Sequence, residues 1–142
     1  MASIGSYLSN PTLSYSADYV ARFVFGNDCN HPATMQTAMS ALKNIYGISY
    51  TNIHELDAPP AQIIRKNLVA NAPIYTSWRV EDTTSSHACV VRGITASELS
   101  LYIMDPEYDF DTASKDVYGV YGYKSGYSNN WLYLDGYASS IF

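Results

Sequence analysis

Positive charge is scarce in this chain: 8 lysines and arginines stand against 13 aspartates and glutamates, giving a net charge of -5 and a pI near 4.9. The basic residues are also scattered, which argues against nucleic acid as a partner, because phosphates are held by clustered Lys and Arg that release counterions. Cysteine is scarcer still. The two present, Cys29 and Cys89, are too few for a disulfide scaffold. No Cys-x-x-Cys or His-x-x-x-His spacing occurs, and Cys29, His31 and His54 lack the paired spacing of zinc ligands, so neither a metal nor another cofactor is expected. Apolar runs are short as well: none approaches the roughly 18 residues that suggest a membrane span, so no membrane partner is expected.

What the chain does have is apolar content of 47% and 14 tyrosines in 142 residues. That is enough for one hydrophobic core and too little for two, so a single domain over residues 1–142 is expected. Few cysteines with many Tyr, Ser and Asn suit an exported bacterial protein. Secretion is therefore the expected location, with the cytoplasm as the alternative.

The first half reads as helices. Ile4 and Leu8 stand at helical spacing in MASIGSYLS, before the stop at Asn10-Pro11. Ser16 can cap a second helix with Val20, Phe23 and Val24 on one face and Gly26 as its stop. A third runs over Ala33–Tyr46 with Met35, Ala38, Leu42 and Ile45 in a stripe before Gly47. Asp57 can cap a fourth, which starts at Pro59-Pro60 and turns Ile63, Ile64 and Leu68 inward.

The second half reads as strands. In the run from His87 to Val91, alternation puts His87, Cys89 and Val91 on one face and Ala88 and Val90 on the other, with Gly93 ending the run. The short polar turn Thr95–Glu98 makes the next apolar run, Leu99–Met104, its antiparallel neighbour. An imidazole near the start of one strand then lies beside a carboxylate, Asp105, at the end of the other. That is the arrangement in which a carboxylate fixes a histidine tautomer. Further strands are expected over Val117–Tyr123 and Trp131–Tyr137. Ser85 and Ser86 adjoin His87 too closely to present a hydroxyl to its far nitrogen, and Cys89, in mid-strand, reads as a small core residue.

These residues carry a resemblance. The order Pro73, an apolar strand with Trp78, a polar gap, His87-Ala88 with apolar residues and Gly93, then an apolar strand ending in Asp105-Pro106 is similar to the C-terminal half of bacterial papain-like cysteine peptidases. Staphopains and bacteriocin-processing peptidases are of this kind. The resemblance implies a papain-like α+β fold, with N-terminal helices packed on a C-terminal antiparallel sheet. It also implies thiol-dependent hydrolysis of a peptide or protein substrate, with His87 as general base and Asp105 as the residue orienting it.

For the nucleophile the resemblance leaves two places. MASIGSYL resembles the family's nucleophilic helix entered two residues late, which would put the cysteine and its upstream glutamine before Met1 and leave the chain inactive. Asp28-Cys29 with Pro32-Ala33 and the helix ending in IYGI resembles the Asp-Cys-Gly-Pro-Ala start of the bacteriocin-processing enzymes, which makes Cys29 the rival. Asn30 and His31 depart from that pattern. A second class of function also fits: a non-catalytic module on the same scaffold, with the Tyr-rich segment YGVYGYKSGY as a contact surface. Oligomeric state is not legible.

Overall fold

A computed structural model describes residues 16–27, 32–107, 109–126 and 128–141. Helices come first: α1 (Ala17–Phe25) and α2 (Met35–Tyr46), then the short strand β1 (Asn52–His54) and helix α3 (Ala61–Val69). Six strands follow, β2 (Ile74–Val80), β3 (Ser86–Ile94), β4 (Ser100–Asp105), β5 (Asp109–Lys115), β6 (Tyr121–Lys124) and β7 (Trp131–Ser139). The helix ends follow from local chemistry. Ser16 accepts from the Tyr19 N–H and Thr34 from the Thr37 N–H, while Gly26 and Gly47 end their helices at positive φ. Helix α3 starts on Pro60, whose missing N–H costs nothing in a first turn, and not on Asp57.

The sheet closes on itself. Its order is β1-β7-β2-β3-β4-β5-β6, every pairing is antiparallel, and β6 also pairs with β7. Strands β2 to β7 thus form a six-stranded barrel, with β1 added beside the last residues of β7. The expected papain-like α+β arrangement of N-terminal helices packed on a C-terminal antiparallel sheet is overturned, because the architecture is this closed barrel with only three short helices among the described residues. Two features hid it. Strand β5, reading DFDTASK, has a polar face and no apolar run, and closure depends on β7 meeting both β2 and β6, pairings far apart in sequence.

Inward-facing residues fill the barrel. Ile74 and Trp78 of β2, Cys89 and Val91 of β3, Leu101 and Ile103 of β4, Ala113 of β5, Tyr121 and Tyr123 of β6 and Leu132 and Leu134 of β7 form one buried cluster. Burial of large apolar side chains of this kind, at about 1.5–3 kcal/mol each, is what holds such a barrel together. Trp78 is fully buried: its indole N–H donates to Thr76 Oγ1 at 2.8 Å and its ring meets that of Tyr123 edge to face at 5.1 Å. Helix α3 lies at one end, with Ile64 in the interior cluster and Arg65 bonded to Glu98 and the Thr95 carbonyl of the β3–β4 turn.

The outer wall carries a second core. Met35, Ala38, Met39, Leu42 and Tyr46 of α2 and Val20 of α1 pack with Tyr75 and Ala138, and Ala88 and Val90 lie against them. Alternation in β3 therefore divides its residues as the sequence requires, with Cys89 and Val91 inside the barrel and Ala88 and Val90 under the helices. Phe23 departs from its expected inward face and is exposed. Gly93 does not end β3. It sits beside a bulge where the Tyr102 ring crosses it, and a Cβ there would stand 2.8 Å from Tyr102 Cδ2.

Candidate active site

At the barrel end opposite α3, β3 and β4 bring two polar side chains together. His87 lies across from Trp78 in the β2–β3 register, and Asp105 ends β4. His87 Nε2 is 2.6 Å from Asp105 Oδ1. The carboxylate has two further donors: the Glu107 N–H to Oδ1 at 2.9 Å and the Tyr123 hydroxyl to Oδ2 at 2.8 Å. Asp105 is 1% exposed, so an unpaired charge there would be costly. Burial alone would raise its pKa, but the bonds from His87, Glu107 and Tyr123 outweigh it and hold the carboxyl below its ordinary value. It is a charged acceptor at neutral pH, and it fixes the proton of a neutral His87 on Nε2. The remaining nitrogen, Nδ1, then carries the lone pair that a base needs.

A cavity of about 1020 Å³ adjoins this pair. One wall is Pro32, Ala33, Thr34 and Met35, the segment that enters α2. The lining also takes in residues of β2 and β3, with Ser85 and Ser86 next to His87 in the chain, and Asp135 of β7. The β2–β7 register shifts at that point, so Asp135 sits on a bulge. Burial pushes its carboxyl above the usual range, partly offset by a bond with Ser77 and by Arg79. The cavity lining thus includes an imidazole, a half-buried acidic group and the residues that start a helix.

Residues 4–139 match the Peptidase_C39 like family. The chain belongs to that family. No curated protein and no solved structure matches it. The family is cysteine peptidase-like, which implies hydrolytic thiol chemistry and peptide or protein substrates. Of the candidates drawn from sequence, His87 and Asp105 are brought together. Cys29 and the segment Met1–Leu8 lie outside the described residues.

Cys89 sits in the same interior and is a different kind of thiol. It is 2% exposed, and its Sγ lies 3.3 Å from the Tyr123 hydroxyl. Burial, with Asp105, Asp111 and Glu107 nearby and only partly offset by the Tyr123 bond, pushes it up to about 12. A thiol so placed stays protonated near neutrality and is a poor nucleophile. Iodoacetamide at pH 8 is therefore expected to leave Cys89 unmodified in the folded protein and to modify it only on unfolding, read by peptide mapping. His87, Cys89 and Asp105 offer ligand-type atoms within 4.8 Å of one another, the one such set found among the described residues. A metal held there would have to displace the His87–Asp105 bond and disturb both contacts of Tyr123.

Sequence reasoning missed Tyr123 and Asp135. The first was legible in principle, since Tyr121 and Tyr123 alternate in YGYK as an inward face, and both are buried while Tyr118 is exposed. Asp135 had no such signal, because its orientation comes from a bulge. Trp131 is half-exposed at the start of β7, whereas Trp78 fills the barrel beneath His87.

Proposed function

We propose that this protein is a cysteine peptidase in which Cys29 is the nucleophile, His87 the general base and Asp105 the residue that orients the base. One observation carries the reading: the segment entering α2 and His87 line the same cavity, with Asp105 bonded behind the imidazole. In the sequence Cys29 stands three residues before Pro32, which lines that cavity. The positive end of α2 favours negative charge nearby, both a thiolate and the oxyanion formed when it attacks a carbonyl.

In this mechanism His87 Nδ1 takes the proton of the Cys29 thiol, and the sulfur attacks the peptide carbonyl. The proton then passes to the leaving amine. Water, deprotonated by the same nitrogen, hydrolyses the thioester and restores the thiol. Asp105 keeps Nδ1 free throughout by holding the Nε2 proton. The test is digestion of a mixed peptide library followed by mass spectrometry. The unaltered chain is expected to cleave peptides and Cys29→Ser to cleave none. Equal cleavage by both would remove Cys29 from the mechanism.

A further inference from the structure

We infer that Tyr123 is a positioning residue of this site, holding Asp105 charged and aligned beneath His87 through a relay that runs from Cys89 through Tyr123 to the carboxylate. The inference rests on the proposed roles of His87 and Asp105 and extends them to a third strand. Tyr123 comes from β6, two strands away from Asp105 across the barrel interior, and is 2% exposed. Its hydroxyl lies 2.8 Å from Asp105 Oδ2 and 3.3 Å from Cys89 Sγ.

Proton accounting fixes the direction. A phenol has one proton, and an ionised carboxylate can only accept, so the Tyr123 proton points to Asp105. Its oxygen is then left to accept from the Cys89 S–H. Burial, then the contacts with Cys89 and Asp105, raise the phenol far above its ordinary range, so it remains a donor at every working pH. Cys89 likewise stays protonated and keeps its place as donor.

Each member has a reason to be polar inside an apolar barrel. Without Tyr123, Oδ2 of Asp105 would be buried without this donor, since His87 and Glu107 both reach Oδ1. A carboxylate held on one oxygen only could rotate about its Cβ–Cγ bond and carry the imidazole with it. Held on both, it has one orientation, which the ring of His87 inherits. The Trp78 ring, edge-on to Tyr123, supports the phenol from the side. The titratable groups around the carboxylate are His87 and Cys89 from β3 and Tyr123 from β6, with Glu107 and Asp111 also acting on Cys89.

The experiment is a carboxyl-carbon NMR titration of Asp105 in chain labelled at aspartate, comparing the unaltered protein with Tyr123→Phe, alongside kcat and KM for a cleaved peptide. Phenylalanine fills the same space, so a purely packing role would leave the Asp105 midpoint where it was. Loss of the donor is expected to move that midpoint to higher pH and to lower kcat about tenfold with KM little changed. Should Tyr123→Phe fail to fold, the same titration in Cys89→Ala, which removes the thiol that donates to the phenol oxygen, is expected to show a smaller move in the same direction. An Asp105 midpoint unmoved in every folded variant overturns the inference. A moved midpoint in a protein that cleaves no peptide would count against the peptidase reading and leave the Tyr123 relay standing.

Discussion

Replacing His87 with alanine is expected to lower kcat/KM for a cleaved peptide about a thousandfold, the middle of the range for losing a general base. The fold should survive. His87 is partly exposed at the open end of the barrel, and Asp105 keeps its bonds from Glu107 and Tyr123 when the imidazole is gone. The loss should therefore appear in kcat while near-UV circular dichroism, reporting the packing around Trp78, changes little. A fall in activity accompanied by lost tertiary signal would mean that His87 is structural, and a fall of less than tenfold would mean that another group takes the proton.

The second large effect belongs to Asp105. Asp105→Ala takes away the shared acceptor of three donors, on His87, Glu107 and Tyr123, of which the Tyr123 hydroxyl lies deepest. Unsatisfied buried groups of this kind cost on the order of 3 kcal/mol in stability, and the freed imidazole should cost a further hundredfold or more in kcat. Asp105→Asn is the informative contrast. Its carboxamide oxygen can still accept from His87 while its NH2 faces the phenol oxygen, so activity is expected to stay within about tenfold of the unaltered chain.

The two chains should also separate on acidification. A carboxyl held below its ordinary value in the folded state stabilises that state at pH above the unfolded value, near 4, and the contribution is lost as pH falls through the folded value. Urea unfolding followed from pH 6 downward should show this loss in the unaltered chain. The same contribution is missing from the acid limb of Asp105→Asn.

Much of this site was legible because it is local. A histidine at the start of β3 and an aspartate at the end of β4 are joined by a short turn, and period-two alternation puts them on one face. The helix starts at Ser16 and the stops at Gly26 and Gly47 are local chemistry too. What failed was non-local. Barrel closure needs β7 to pair with both β2 and β6, and no residue pattern in WLYLDGYAS announces two partners. Strand β5 lacked an apolar run because one of its faces is polar, and the expected strand at Val117 begins only at Tyr121, since Val117–Gly119 form the turn that brings β6 back against β5. Tyr123 reached the site only through that closure. The Tyr-rich segment expected as a contact surface is divided by it, with Tyr118 outside and Tyr121 and Tyr123 within the barrel.

Whether Cys29 works with His87 is tested most directly by a peptide carrying a thiol-reactive electrophile, with the modified residue mapped by mass spectrometry. The chain has only two cysteines, one of them buried beside Tyr123, so the map has a built-in comparison. The expected result is modification of Cys29 in the unaltered chain, its loss in His87→Ala, and an untouched Cys89. No modification at Cys29, or modification that His87→Ala leaves unchanged, would contradict the account.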